Sequence, residues 1–159
     1  MLFRSLVSFR LKMTGDFPEL LHAAVEEYAA KGKLELVLET RLADCPLGPN
    51  QEVHVLHIIR EALSNMVRHA QARHAWVRLN CDPGGRLTVD VEDDGIGLGD
   101  AAVDTRHHHG LAIMRERARS LGGSIELGPR PGGGTRLRLR FAAGANTVHA
   151  EPVMFGGVA

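Results

Sequence analysis

The stretch that most constrains the fold is a predicted strand that runs directly into two carboxylates and a Gly-x-Gly turn. Residues 86–91 alternate polar and apolar side chains, which is the period of a half-buried strand. The residues that close the stretch are Asp93, Asp94, Gly95, Ile96 and Gly97. Glycines let a backbone approach a ligand closely, and a buried carboxylate can accept a hydrogen bond from an amino group. The same pattern also occurs in dinucleotide-binding loops and in ordinary tight turns, so this stretch alone leaves its ligand open.

Length and charge exclude several classes of protein. A chain of 159 residues predicts one domain with a sizeable core. Its 19 basic and 19 acidic residues balance, which argues against direct binding of nucleic acid or of an anionic membrane. No segment is apolar enough to span a bilayer, and the N terminus lacks the features of a signal peptide. We therefore expect a cytoplasmic protein, or the cytoplasmic part of a larger one, with Cys45 and Cys81 as thiols in a reducing compartment.

Hydrophobic periodicity predicts three helices and five strands within a domain that covers residues 16–142. The helices are expected over residues 17–30, 51–70 and 110–121, with Asn50 as the cap of the second and Gly110 as the start of the third. The strands are expected over residues 34–41, 75–81, 86–92, 124–127 and 135–141. This order predicts a two-layer α/β sandwich, in which the helices cover one face of a mixed, mostly antiparallel sheet.

Three segments fall outside these elements. Residues 1–15 carry scattered apolar side chains, and we expect the remnant of a helix or an arm that packs elsewhere. Residues 97–109 break into small, charged and histidine residues, which is typical of a functional lid or of a disordered segment. Residues 143–159 show no period and are expected to form a flexible tail.

The polar residues of the second helix are the first candidate binding group. Glu61, Asn65 and Arg68 fall in one narrow sector, nearly opposite the predicted apolar stripe. A solvated helix face is one interpretation. The other is a metal and phosphate site, because an asparagine oxygen is a good ligand for Mg²⁺, while Arg68 and His69 could meet phosphate oxygens.

Two glycine-bearing segments are further candidates. If a helix starts at Gly110, the free backbone N–H groups of His109, Gly110 and Leu111 form an anion site. Another glycine turn, residues 132–134, precedes Thr135 and the last predicted strand.

Four segments resemble the conserved boxes of sensor histidine kinases. Residues 60–70 (REALSNMVRHA) resemble the N box, and residues 93–97 resemble the G1 box. Residues 109–118 (HGLAIMRERA) resemble the G2 box, and residues 132–137 resemble the G3 box. The order and spacing match from Phe17 to Phe141. The first and third segments are more narrowly similar to the nitrate/nitrite-sensor kinases, whose partners are response regulators with receiver and helix-turn-helix domains.

This resemblance implies a Bergerat-type ATP site between the helices and the sheet. Asn65 would coordinate a Mg²⁺ ion that bridges the ATP phosphates, with Glu61 as a polarising or base-like residue nearby. Asp93 would bind the exocyclic amine of adenine, supported by Thr135. The remaining residues implied are Gly95 and Gly97 at the adenine end, Arg68 and His69 at the phosphates, and His109, Gly110 and Leu111 at the lid.

The sequence departs from the family at two points. His108 stands where the G2 box often has glycine, within a run from His107 to His109 that we interpret as solvated lid residues rather than a metal site. The phosphoacceptor motif, a histidine followed by Asp or Glu, does not occur. The phosphoryl group would then go to a dimerisation domain outside this chain, with residues 1–15 as the end of that region. We expect the isolated domain to be monomeric, and the full-length kinase to be a homodimer at the cytoplasmic end of an inner-membrane sensor.

Three other functions compete with a histidine kinase. An anti-sigma-type protein-serine kinase belongs to the same superfamily and is a free-standing small domain. A module that binds nucleotide or another protein without catalysis is a second alternative. A Rossmann-type dehydrogenase fits poorly, because Gly95-x-Gly97 lacks the third glycine and the neighbouring strands are predicted to be antiparallel.

Overall fold

The computed structural model describes residues 5–7, 17–42, 45–98 and 105–144, with the backbone alone for residues 5–7 and 105–108. The strands in these segments are β1 (Ser5–Val7), β2 (Glu35–Arg41), β3 (His74–Cys81), β4 (Arg86–Asp93), β5 (Ser124–Pro129) and β6 (Thr135–Ala142). The helices are α1 (Phe17–Gly32), α2 (Pro49–His69) and α3 (Thr105–Ser120). Among the described residues, no helix combines the length and the hydropathy needed to cross a membrane.

The strands form one mixed sheet in the order β1-β2-β3-β4-β6-β5. β1, β2 and β3 are parallel, whereas β4 pairs antiparallel with β3 and β6, and β5 pairs antiparallel with β6. Alternate strand residues are buried in register, as in the row Leu38, Val77, Val91 and Leu137. These residues form one core with the buried residues of all three helices. The predicted two-layer sandwich is therefore confirmed, and antiparallel pairing excludes the Rossmann fold.

The other sheet face, here called the open face, carries charged side chains that pair across neighbouring strands. One row of opposed residues runs Glu39, Arg78, Asp90 and Arg138. Arg138 Nε and Nη2 donate to the two Asp90 oxygens at 2.6 and 3.0 Å, and Arg78 Nε lies 3.4 Å from Glu39 Oε2. Cross-strand pairs of opposite charge stabilise a sheet, so a second apolar layer is not required there.

Helix α2 begins earlier than the sequence predicts. Its cap is Gly48 and its first residue is Pro49, so the prediction that Asn50 caps the helix is wrong. Proline suits the first helical position, because its φ is already helical and its missing N–H would have no partner there. The Gln51 side chain accepts the Gly48 N–H at 3.1 Å and donates to the Ala142 carbonyl at 3.1 Å, which ties the start of α2 to the end of β6.

Two further differences concern the ends of predicted segments. Helix α3 begins at Thr105, so the helix start predicted at Gly110 is wrong, and Gly110 lies in the second turn. Residues 5–7 form an edge strand parallel to β2, where the sequence indicated a helix remnant or an arm. The predicted stop after Leu121 is confirmed: Gly122 has φ +68°, and the Gly123 N–H donates to the Ala118 carbonyl at 2.9 Å.

The two cysteines form a disulfide, so the expectation of free thiols is wrong for this structure. Cys45 lies in the loop before α2 and Cys81 at the end of β3, with their Cα atoms 6.0 Å apart, a separation typical of disulfides. The side chain of Cys45 is buried. The residues are 36 positions apart in the chain, and only the packing of that loop beside β3 brings them together.

Removal of this bond should destabilise the domain. A cross-link between residues 36 positions apart lowers the conformational entropy of the unfolded chain. By the loop-entropy estimate, this raises the free energy of unfolding by roughly 3–4 kcal/mol. We expect the variant Cys45→Ser/Cys81→Ser, and the wild type under reductant, to unfold at lower denaturant concentration than the oxidised wild type. Thiol titration of the denatured, unreduced protein should give no free thiol; two thiols per chain would contradict the pairing.

Candidate functional site

A cavity of about 190 Å³ opens between the C-terminal half of α2, the helix α3 and the strands β4 and β6. This volume is several times the roughly 30 Å³ share of one water molecule. Its walls are mainly apolar, and its polar lining residues are Asn65, His69, Asp93 and Thr135. A largely apolar pocket with a few convergent polar groups is the usual form of a small-molecule site.

Asp93 is the buried charge of this cavity. It ends β4 on the face that points to the helices, and only 4% of the residue is exposed. Burial raises the pKa of its carboxyl, although the N–H groups of Gly95 and Thr135, and the nearby Arg130, act in the opposite direction. The Gly95 N–H donates to Asp93 Oδ1 at 2.8 Å. The carboxylate is thus held in a fixed orientation where it can accept a hydrogen bond from a bound amino group.

Two glycines allow the backbone around Asp93 to pack closely. A Cβ at Gly95 would collide with the Ala70 carbonyl, which accepts the Ile96 N–H at 2.8 Å. A Cβ at Gly134, where φ is +99°, would collide with the Asp93 carbonyl. The sequence interpretation gave Gly95 a close approach to a ligand, but the close neighbour is the end of α2.

The neighbouring carboxylate, Asp94, has a structural role. Its Oδ1 accepts the N–H groups of Arg73 and His74, each at 2.9 Å, and its Oδ2 lies 2.7 Å from His74 Nδ1. Burial opposes ionisation, but these hydrogen bonds from His74 and Arg73 lower the pKa of the Asp94 carboxyl. Asp94 therefore ties the start of β3 to the end of β4, and of the two acidic residues only Asp93 faces the cavity.

The polar sector of α2 lies at the α3 side of the cavity. Arg68 Nη2 donates to Asn65 Oδ1 at 3.2 Å and lies 3.9 Å from Glu61 Oε1. The Asn65 oxygen and the Glu61 carboxylate thus share Arg68 as a cationic partner. Arg68 is exposed, so its side chain can leave this position at little cost.

This sector borders the apolar stripe of α2, whereas the sequence predicted that it would lie nearly opposite. The buried face of α2 also includes Val55, Ile58 and Ala62, because the helix packs against the sheet and against both neighbouring helices. Asn65 consequently stands at the edge of the buried face and lines the cavity beside Met66.

Helix α3 passes directly over the polar sector at Gly110. A Cβ there would lie 2.5 Å from Glu61 Oε1 and 3.6 Å from Asn65 Nδ2, so any larger residue would require the Glu61 side chain to move. Since α3 begins at Thr105, the N–H groups of residues 109–111 lie within the helix and are not the free donors predicted from the sequence. His109 is exposed, and the side chains of His107 and His108 lie outside the described residues.

The structure brings together many of the site residues predicted from the sequence. Those that line the cavity are Asn65, His69, Asp93, Gly97, Leu111 and Thr135. Those that lie beside it are Glu61, Arg68, Gly95 and Gly110, and His109 is the exposed residue before Gly110 in α3. The prediction missed the apolar lining residues Ala62, Met66, Ala70, Val91, Ile96, Leu98, Met114, Leu127 and Leu137. Helical spacing from Asn65 and the alternation of β4 could have identified Ala62, Met66 and Val91.

Comparison with known proteins identifies related sequences. Residues 50–145 match the model of the family described as histidine kinase-, DNA gyrase B-, and HSP90-like ATPase. The nitrate/nitrite sensor protein NarQ of Escherichia coli K12 is 37% identical over 137 residues, which cover 86% of this chain and 24% of NarQ. NarX of the same organism is 35% identical over 137 residues, which cover 86% of this chain and 23% of NarX. The chain therefore spans about a quarter of the length of these relatives.

Solved structures share the fold. Full-length ShkA in complex with AMPPNP aligns with a TM-score of 0.64 at 21% identity, over 86% of this chain and 32% of ShkA. The ATP binding domain of PrrB from Mycobacterium tuberculosis aligns with a TM-score of 0.60 at 23% identity, over 79% of this chain and 92% of that domain. The second alignment covers nearly the whole of that domain, so the described elements share most of its fold.

The contact between His74 and Asp94 predicts a pH dependence of stability. The hydrogen bond that His74 donates to the Asp94 carboxylate raises the pKa of His74, and Glu35 Oε2, 3.2 Å from its Nε2, adds to this effect. The contribution of His74 is therefore complete below about pH 6.5 and is lost as pH rises through the raised pKa. That of Asp94, whose pKa is lowered, is present above about pH 3.9 and is lost as pH falls through the lowered pKa.

We expect the loss of melting temperature in His74→Gln to be largest between about pH 4 and 6.5 and to shrink above pH 8. Thermal unfolding of both proteins across this range measures the difference. His22→Gln, at a half-exposed histidine of α1, is the control. A difference that grows with rising pH would contradict the assignment.

Proposed function

Because the chain belongs to the family of histidine kinase-, DNA gyrase B- and HSP90-like ATPases, we propose that it is the ATP-binding catalytic domain of a two-component sensor histidine kinase of the nitrate/nitrite-sensor type. In this proposal the cavity binds the adenine of ATP, and the α2–α3 side binds its phosphates. The domain transfers the γ-phosphoryl group to a histidine of a dimerisation domain. That histidine then passes the group to a response regulator with receiver and helix-turn-helix domains.

The observation that carries the proposal is the fixed carboxylate of Asp93 in an apolar cavity. Adenine is flat and largely apolar, and it bears one exocyclic amine that can donate a hydrogen bond. Val91, Leu127 and Leu137 supply apolar contact from the sheet side. Asp93 supplies an acceptor that two backbone N–H groups already orient. A hydrogen bond to a charged acceptor in such surroundings is strong and selective.

The phosphate end fits a divalent cation. Asn65 Oδ1 and the Glu61 carboxylate lie one helical turn apart and share Arg68 as a partner. Oxygen ligands of this kind suit Mg²⁺, which when bound would neutralise phosphate charge. If Asn65 takes the metal, Arg68 is released from the Asn65 oxygen and becomes available to phosphate oxygens. We assign His69 to the same end as a phosphate contact, and the residues from His109 to Leu111 to the lid over it.

The domain boundaries and the setting are part of this proposal. We assign residues 16–142 to the ATP-binding domain, residues 1–15 to the end of the dimerisation region or an arm, and residues 143–159 to a tail. We propose that the domain works in the cytoplasm, as a monomer when isolated and within a homodimer in the full-length kinase. The relatives named as sensor proteins favour this setting over an anti-sigma-type serine kinase.

Calorimetric titration of ADP and AMPPNP, each with and without Mg²⁺, tests the two ends of the site. Asp93→Asn should raise the Kd for both nucleotides at least about tenfold, since a hydrogen bond to a charged group contributes about 1.5–3 kcal/mol to binding. Asn65→Ala should remove the gain in affinity that Mg²⁺ produces, with little effect on binding in EDTA. Asn65→Ala should also abolish phosphoryl transfer to an added dimerisation domain.

Asp90→Asn is the matched control, because Asp90 lies three residues from Asp93 on the same strand but faces the open side of the sheet. It should bind both nucleotides as the wild type does. If a folded wild type binds no nucleotide, or if Asp93→Asn binds with unchanged affinity, the adenine assignment is wrong. Binding without transfer to any dimerisation domain would favour the non-catalytic module.

A further inference from the structure

We infer that Arg130, on the open face of the sheet, is a positioning residue that holds the turn formed by residues 130–134 and thereby sets the affinity of the cavity for adenine nucleotides. The inference rests on the proposed function, since it assigns adenine to Asp93. It concerns a residue outside the cavity, on the opposite side of the strands that form its floor.

Arg130 connects three separate parts of the chain through its guanidinium. The group stacks over the Trp76 ring of β3, with its Cζ 4.1 Å from the ring centroid. Its Nε lies 3.5 Å from Glu92 Oε2 on β4, and its Nη1 donates to the Gly133 carbonyl at 3.3 Å. The side chain of Arg130 is only 22% exposed. Desolvated stacking of this kind contributes more than an exposed ion pair does.

The buried carboxylate of Glu92 stabilises Arg130 in this position. Its side chain is only 11% exposed, and its Oε2 also accepts Arg78 Nη1 at 2.9 Å. A carboxylate removed from water to this extent requires charged partners, and it would lose one of two without Arg130. Trp76 lies directly opposite Glu92 in the sheet, so Arg130 covers both members of one cross-strand pair.

The 130–134 turn transmits the position of Arg130 to the cavity. The Arg130 N–H donates to the Gly134 carbonyl, and the Gly133 N–H donates to the Arg130 carbonyl, each at 3.0 Å. Gly134 packs against the backbone of Asp93, and the next residue, Thr135, directs its N–H to the Asp93 carboxylate. Because side chains alternate along a strand, Glu92 faces Arg130 while Asp93 faces the cavity. The two sides of the sheet are thus linked through one short turn.

Trp76 provides a direct probe of the contact, since it is the single tryptophan of the chain. Loss of the stacked guanidinium exposes the indole to water, which should shift its emission to longer wavelength and increase quenching by acrylamide. This measurement reports the contact independently of nucleotide binding.

The test compares four forms of the full chain: wild type, Arg130→Gln, Arg130→Lys and Arg140→Gln. Arg140 is the matched control, because it is a half-buried arginine of β6 on the same face, opposite Thr88. Calorimetry measures the Kd for AMP, ADP and AMPPNP, and thermal unfolding shows the temperature range in which each variant is folded. We expect Arg130→Gln to raise the Kd about tenfold, or about 1.4 kcal/mol. Arg130→Lys should restore part of this loss, because lysine keeps the charge but not the planar stacking and fork.

The pattern across nucleotides separates positioning from a general loss of structure. Arg130→Gln should raise the Kd for AMP, ADP and AMPPNP by the same factor, because the affected contact is at the adenine that all three share. The emission of Trp76 should shift as well. Arg140→Gln should change neither. The inference is overturned if Arg130→Gln shifts the emission but binds all three nucleotides as the wild type does, or if the emission does not shift. A folded wild type that binds none of them would instead refute the proposed function.

Discussion

A carboxylate in an apolar cavity is tolerable only when hydrogen bonds and nearby charges compensate for the water it has lost, and this constraint organises the site around Asp93. The Gly95 N–H reaches its carboxylate from the turn that follows β4, and the Thr135 N–H reaches it from the first residue of β6. The turn after β4 can pack against Ala70, and the turn before β6 against the Asp93 backbone, only because Gly95 and Gly134 have no side chain. The glycines of residues 93–97 and 132–134 therefore allow the backbone to hydrogen-bond to the Asp93 carboxylate.

Around Asp93, the two faces of the sheet have different roles. The covered face buries apolar residues against the helices and leaves the cavity where α2, α3, β4 and β6 meet. The open face pairs charges across strands, and near the cavity it adds Arg130, stacked on Trp76 and paired with Glu92. At the α2–α3 side, Arg68 contacts the side-chain oxygens of Asn65 and Glu61. At the other end of the cavity, the Asp93 carboxylate can accept a hydrogen bond from an amino group.

Local patterns were sufficient where local chemistry decides the structure. The alternation of β4 and β6, the apolar periodicity of α2 and the stop at Gly122 were all predictable. Local patterns also singled out Asn65 and Asp93, whereas Thr135 received a binding role only through the resemblance to the kinase boxes. Features that depend on packing were not. The pairing of Cys45 with Cys81 and the contact of Gly95 with Ala70 each depend on segments distant in sequence. Arg130 gave no signal, since an arginine before a glycine turn is ordinary until Trp76 and Glu92 are brought beneath it.

The most direct test of this account is to compare the affinities of ADP and inosine diphosphate for the full chain by calorimetry. The two ligands have the same sugar and phosphates, but hypoxanthine carries an oxygen where adenine carries the exocyclic amine. If the fixed Asp93 carboxylate accepts a hydrogen bond from that amine, ADP should bind at least about tenfold more tightly, because the inosine oxygen places two acceptors face to face. Equal affinity for the two ligands would contradict the role of Asp93 on which the rest of the account depends.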